Sequence, residues 1–400
     1  GLAGGVVAGR RGNARDRFLE EAVWRGGNAE GRASAGNRSL SRLEPLLPVT
    51  KETGVPNALN KLFQAFSALS VTPNDTSLRQ TVLERARQFA GSMNQTAAGL
   101  AKASADAARE IGETVDQINA IAGRIHALNR SRSRDVEGAL DAGVEAQLYS
   151  ALEELSALTD FQVMQRPDGT LNVFLGGLTP LVMSERAYPI RADSSGATTA
   201  ILDENGLDVT AHLAQGKIAA QLTVRNTSLP AYIADLNRLA VGVADRVNEV
   251  HMGGLDRNGG PPAQPIFWYS TAEDAAGTLL VSPLGPGDLA AASIVAPGGN
   301  GNAIALAELG ASLEIDGYTF TGFYGSIAAR LGRERSTAGD EAETQSLLLE
   351  QARALRQEIS GVSMDEEAAR IVEFQRAYQA AAQIFRTLDE LTETVINLRR

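Results

Sequence analysis

From Met364 the chain closes with MDEEAARIVEFQRAYQAAAQIFRTLDELTETVINLRR, in which apolar residues recur by alternating steps of three and four. Starting at Ile371, the steps fall on Phe374, Tyr378, Ala381, Phe385, Leu388, Thr392 and Val395, with Leu391 and Leu398 widening the seam. That spacing is the seam of a coiled-coil-like helix. Most of the charges in between, Glu373, Arg376, Arg386, Asp389, Glu390 and Glu393, fall off the seam, so the helix is amphipathic and requires a partner. Two partners are open at this point: the rest of this chain, as in the last helix of an ordinary bundle core, or another chain.

The same rule recurs upstream. Between Asp75, an N-cap candidate after Pro73, and about Arg130 there is no proline, and apolar residues return at Leu78, Val82, Phe89, Met93, Leu100, Ile111, Val115, Ile118, Ala122 and Ile125. Some fifty-five helical residues would make a rod of roughly 80 Å. Gly91, Gly99, Gly112 and Gly123 interrupt it, either bending or breaking the helix or letting a neighbour approach closely. Leu229, Ile233, Leu236, Ala240, Val243, Val247 and Val250 form a cleaner seam, and a further segment from about Phe323 to Ile359 ends in the stripe Leu348, Ala352, Leu355, Ile359.

Between the helical segments the period changes. From Phe161 to about Thr210 apolar residues alternate, and turn signals stand at Asp168-Gly169, Gly176-Gly177 and Asn205-Gly206, which predicts a small meandering β unit. Gly253 to Asn302 is rich in glycine and proline and reads as surface loop with a strand at most. The expected class is mainly α with a β insertion: an elongated, coiled-coil-like bundle of long helices plus a small β-rich domain. The corresponding division is a helical rod at 1–160 and 213–359, with a loop region at 253–302, a β-rich domain at 161–212, and a C-terminal assembly helix at 360–400.

Composition excludes several function classes. A net charge of -11 leaves no basic surplus for a nucleic-acid backbone. No run approaches about 18 uninterrupted apolar residues, so no membrane span is expected. With 44% hydrophobic, 21% charged and only 5% aromatic residues, long alanine-rich helices suit the chain better than one thick core. Cysteine is absent, which removes disulfides, thiolate metal sites and cysteine nucleophiles. The opening GLAGGVVAGRRGNARDRF has neither an initiator methionine nor the order of a signal peptide, and reads as the start of a fragment or a trimmed product.

The search for chemistry returns little. His126, His212 and His251 lie in three different elements, so a metal site built on them would need a tertiary coincidence. DRNGG at Asp256 to Gly260 resembles the start of a calcium loop but has Phe267 where the twelfth position needs a bidentate glutamate. GLAGGVVAG lacks the Lys-Ser/Thr of a phosphate loop and reads as an extended edge or turn. The pairs Glu153-Glu154 and Glu366-Glu367 fall on helix surfaces or first turns, where solvation and the helix dipole account for them. Asn37, Asn74, Asn94 and Asn226 match the glycosylation acceptor pattern, which carries little weight without a secretory signal. No catalytic, cofactor-binding or metal-binding residue is assigned, and no cofactor is expected.

One resemblance organises these observations. SGVSMDEEAARIVEFQRAYQAAAQIFRTLDELTETVINL, Ser360 to Leu398, resembles the C-terminal signature of the bacterial flagellar rod, hook and hook-associated axial proteins. ETVDQINAIAGRIHALN (Glu113 to Asn129) and VNEVHMGGLDRNG (Val247 to Gly259) are similar to members of that family at the junction between hook and filament. The resemblance implies a structural protein, not an enzyme, that assembles as a ring of subunits with the hook protein and a second junction protein. It implies an export chaperone, passage through the flagellar type III pathway without a cleaved signal, and an extracellular location. Ile371, Phe374, Tyr378, Ala381, Phe385, Leu388, Leu391, Val395 and Leu398 are then the assembly interface, built to pack against an N-terminal helix of the family that does not precede Gly1 here, and against neighbouring subunits. The loop region after Val250 is short, so the large outer domain that some members insert there is expected to be reduced or absent. The alternatives are another axial component, the second junction protein or a flagellin, and, more remotely, an enzyme such as a wall hydrolase on a helical stalk.

Overall fold

A computed structural model describes residues 16–48, 53–134, 142–184, 186–360 and 364–397. The opening GLAGGVVAG lies outside them. The chain divides into a larger unit, Trp24–Leu349, and a smaller one made of the residues up to Val23 and from Glu350 onward.

The larger unit is organised along one helix. α1 (Arg17–Leu43) and α2 (Gly54–Val71) precede α3 (Thr76–Arg134), which runs for 59 residues, about 88 Å at 1.5 Å each. Asp75 caps α3 through its Oδ1, which accepts hydrogen bonds from the Ser77 and Leu78 amides at 2.7 and 3.2 Å. None of the four glycines breaks it. A Cβ at Gly91, Gly112 or Gly123 would meet nothing, and one at Gly99 would touch only the Leu46 side chain. Burial holds the helix continuous instead. Its first half places Val82, Leu83, Phe89, Met93 and Leu100 in one core, and its second half places Ile111, Val115, Ile118, Ala122 and Ile125 in another.

The second core holds the β unit. α4 (Ala142–Leu158) leads into an antiparallel meander of β1 (Phe161–Gln165), β2 (Leu171–Leu175), β3 (Thr179–Met183) and β4 (Arg186–Ala187), with Val163 opposite Val173 and Val173 opposite Val182. β5 (Arg191–Asp193) and β6 (Ala200–Leu202) form a separate hairpin. Two of the three expected turn signals join strands: Asp168-Gly169 links β1 to β2, and Gly176-Gly177, both at positive φ, link β2 to β3. Asn205-Gly206 instead closes a turn after β6, where the Leu207 amide donates to Asp203 Oδ1 at 2.8 Å.

The first core is built by α2, α3 and later elements. α5 (Gly216–Thr223) passes through one π turn, Val224–Ser228, into α6 (Leu229–Met252). Pro230 explains the π turn, because it has no N–H to offer the Asn226 carbonyl in the α pattern. All seven seam residues expected on α6 are buried or pack against this core, with Leu229, Leu236, Ala240, Val243 and Val247 in its interior and Ile233 and Val250 at its margin.

The stretch after α6 overturns the expectation of a surface loop. Here β7 (Gly254–Leu255), β8 (Phe267–Trp268), α7 (Ala275–Thr278), β9 (Leu280–Val281), β10 (Ala292–Ser293) and the segments joining them send Ile266, Phe267, Ala275, Ala276, Leu279, Leu289 and Ala291 into the core. Glycine and proline set chain direction in this stretch; the short apolar runs between them are too brief to show a period, yet they are what is buried. Arg79 of α3, a residue 2% exposed, fastens it: its guanidinium donates to the carbonyls of Pro73, Pro286 and Leu289 at 2.7, 3.2 and 2.5 Å. α8 (Gly301–Glu308) and α9 (Phe320–Ser360) follow, and α9 buries Phe320, Phe323, Tyr324, Ile327 and Leu331.

Glycine also explains how α1 packs. A Cβ on Gly27 would lie 2.3 Å from Ser156 Oγ, and one on Gly31 would lie 2.1 Å from the Ala157 carbonyl oxygen, so α1 and α4 meet backbone to backbone. Trp24 stacks on Tyr149 beside them at 5.8 Å.

Candidate assembly surface

In the smaller unit Glu20, 3% exposed, is bonded by Arg356 at 3.1 Å, tying the start of α1 to the end of α9. The last helix, α10 (Met364–Asn397), covers 34 residues with neither glycine nor proline. Every side chain described on it, 371 to 392, is exposed.

The seam residues follow that rule. Phe374, Tyr378 and Phe385 are 74%, 78% and 69% exposed, and Ile371, Leu388 and Leu391 are each more than half exposed. Ala381 is exposed beside them, and Val372 and Ile384 widen the apolar face. Val395 belongs to the helix, and Leu398 lies outside the described residues. Among the described residues the stripe is not part of a bundle core. Burial would stabilise each of the large side chains by about 1.5–3 kcal/mol, and the six of them form an exposed apolar face. The stripe at the end of α9 is exposed too: Leu348, Leu355 and Ile359 each show about half of their surface.

The candidates for chemistry do not converge. His251 is fully buried between the backbones of Gln264 and Ala290, His212 Nδ1 stands 2.9 Å from Thr179 Oγ1, and His126 is on α3. Asp256 Oδ1 accepts the amides of Asn258 and Gly260 at 2.8 and 2.9 Å, an ordinary turn. Among the described residues no three His, Asp or Glu side chains gather as metal ligands, and no helix is long and apolar enough to cross a membrane.

The two internal motifs contain residues whose role was not read from the sequence. Asn119 and Asn129 of the first and Asn248 of the second bond with their side-chain amides to the backbones of Ile190, Leu171 and Phe267. A polar amide inside a long apolar-periodic helix is the signal that could have marked them, since asparagine favours turns and caps over helix interiors.

Long helices thus run through two cores, a β unit docks on the second, and the terminal seam is exposed. The family model described as "Flagellar hook-associated protein FlgK helical domain" matches residues 40–267, more than half of the chain, and the chain belongs to this family. The model described as "Flagellar basal body rod FlgEFG protein C-terminal" matches residues 354–398, which include most of α10. Similar curated proteins include flagellar hook-associated protein 1 of Bacillus subtilis, 25% identical over 96% of this chain and 84% of its own length. Another is flagellar hook-associated protein 1 of Salmonella typhimurium, 22% identical over 96% of this chain and 88% of its own. The fold matches the flagellar hook junction protein FlgK from Burkholderia pseudomallei with a TM-score of 0.75 at 16% identity, covering 87% of this chain and 100% of that one.

Proposed function

We infer that this chain is a structural component of the bacterial flagellum that joins hook to filament by self-assembly through its long helices. The observation that carries the reading is the exposed seam of α10, Ile371 to Leu391, in a segment that matches the C-terminal model of rod proteins. In the assembled junction Ile371, Phe374, Tyr378, Ala381, Phe385, Leu388, Leu391, Val395 and Leu398 would be the dry side of a helix pair. Residues 360–400 are then the assembly helix, 1–160 and 213–359 the helical body, and 161–212 the β insertion.

The partners in this reading are further copies in a ring, the hook protein and a second junction protein, with an export chaperone covering α10 beforehand. The route is the flagellar export channel and the destination is extracellular. The work is mechanical and no reaction is assigned. The match of the helical-domain model over 40–267 favours this reading over a flagellin or a stalked enzyme. Deleting the gene should leave hooks without filaments in electron micrographs, restored by the intact gene; filaments on the deletion strain would refute the reading.

A further inference from the structure

Five asparagines of the larger unit, on α3, the π turn and α6, bond through their side-chain amides to the backbone of other segments, four of them in the same way. Asn129 Nδ2 donates to the Leu171 carbonyl at 2.8 Å while its Oδ1 accepts the Leu171 amide at 3.0 Å. Asn119 does this to Ile190 at 2.8 and 3.0 Å, Asn226 to Thr199 at 2.8 and 2.8 Å, and Asn248 to Phe267 at 2.8 and 2.9 Å. Asn237 accepts the Ala276 amide at 2.9 Å and donates to the Glu273 carbonyl. In four of the five, one side chain reads both backbone groups of one residue. An asparagine amide carries a donor and an acceptor side by side, so it acts as one residue of a β-bridge attached to a helix.

We propose that these asparagines are register pins, which set the one position in which the β unit and the 253–302 stretch seat on the helices. The reasoning starts from what the apolar contacts leave undetermined. Ile118, Ile121, Ala122 and Ile125 of α3 share the second core with Val173, Leu175, Leu181, Val182 and Ile190. Hydrophobic contact of that kind is non-directional and tolerates sliding. A pin does not, because the N–H and C=O of successive strand residues point to opposite edges, and a slip of one residue presents neither group to the amide. A slip of two would restore one pin, but the β unit is held at Leu171, Ile190 and Thr199 by three asparagines on two helical segments, and no slide satisfies all three. The π turn serves the third: it carries Asn226 next to Arg225, whose Nη1 donates to the Ala197 carbonyl at 2.8 Å, so both reach one segment.

That the pins hold the outward surface in a fixed orientation toward neighbouring subunits rests on the function proposed above. The chain has no cysteine, so two spin labels can be placed without background, at Lys102→Cys on α3 and Met164→Cys on β1, both exposed. In the parent the inter-label distance distribution should be single and narrow. In Asn119→Ala/Asn129→Ala/Asn226→Ala it should at least double in width, with the helical circular dichroism retained. An unchanged width with a lowered melting temperature would overturn the proposal, because the amides would then add stability without specifying position. Should the triple variant not fold, the three single variants decide: broadening in none of them overturns it. Filament counts on complemented cells separate the two claims, since broadening with normal filaments keeps the pins and removes their role in the junction.

Discussion

Burial pushes the His251 imidazole down to about 4 from its usual 6.5, partly offset by its bond to the Gln264 carbonyl and by Asp288. The geometry agrees: Nδ1 receives the Ala290 amide at 3.3 Å and must be unprotonated, so Nε2 carries the proton that faces Gln264 at 3.2 Å. Between pH 4 and 6.5 the unfolded chain binds the proton that the folded one refuses. The contribution is therefore full above pH 6.5 and is lost as pH falls toward 4, at up to about 1.4 kcal/mol per pH unit. His251→Gln should show a flatter stability profile over that window in urea titrations, and a profile as steep as the parent's would contradict the assignment. Two buried tyrosines give a second residue-scale contrast. Tyr324 is fully buried and its hydroxyl has no hydrogen-bond partner among the described residues, whereas Tyr232 donates to Glu334 at 2.6 Å. Tyr324→Phe should leave stability unchanged or raise it by up to about 1 kcal/mol, and Tyr232→Phe should lower it by about 1–2 kcal/mol, as read from thermal melts.

At the scale of elements, the glycines of α1 and α3 look alike in sequence and do opposite things. Gly31→Ala drives a Cβ into the Ala157 carbonyl and should cost a few kcal/mol, while Gly91→Ala meets open space and should stabilise α3 by up to about 1 kcal/mol. Equal melting temperatures for the two variants would show that α1 and α4 can move apart freely. The contrast also marks what could be read beforehand. α3 and α6 were legible because a buried seam repeats along each of them, α9 through a terminal stripe that is exposed, and the β meander because alternation and Asp-Gly or Gly-Gly turns agree. α1 was not, since its glycines weaken helix propensity and are retained for a contact with a partner more than a hundred residues away. The stretch after α6 was misread for a related reason: Ile266-Phe267, Leu279 and Leu289 to Ala292 are buried in runs too short to show a period. The seam of α10 was legible as a pattern, but only exposure could separate an unpaired face from a core. With no burial described along 371–392, that helix should exchange its amides far faster than residues 82–125 of α3, as a helix without tertiary packing is marginal in water. Comparable protection in dilute solution would mean that it is already paired.

For the molecule as a whole, the question is whether the α10 seam serves the folded chain or its assembly, and one substitution distinguishes them. Phe385 lies in mid-seam and is 69% exposed, with Ala381 and Leu388 one turn away on either side. In the free protein Phe385→Asp places a carboxylate in water, where a surface substitution changes stability by about 0.5 kcal/mol or less. In an assembled helix pair the same carboxylate would be dry and unpaired, at a cost of several kcal/mol even after relaxation. The melting temperature of the purified variant should therefore match the parent's, while complemented cells should carry hooks without filaments and release the variant into the medium. Release into the medium also excludes a defect of export, since a variant retained inside the cell would lack filaments for another reason. Normal filament numbers would mean that the seam is not an assembly surface. A large drop in melting temperature would return the stripe to the core of a bundle, against the exposure of every described side chain along it.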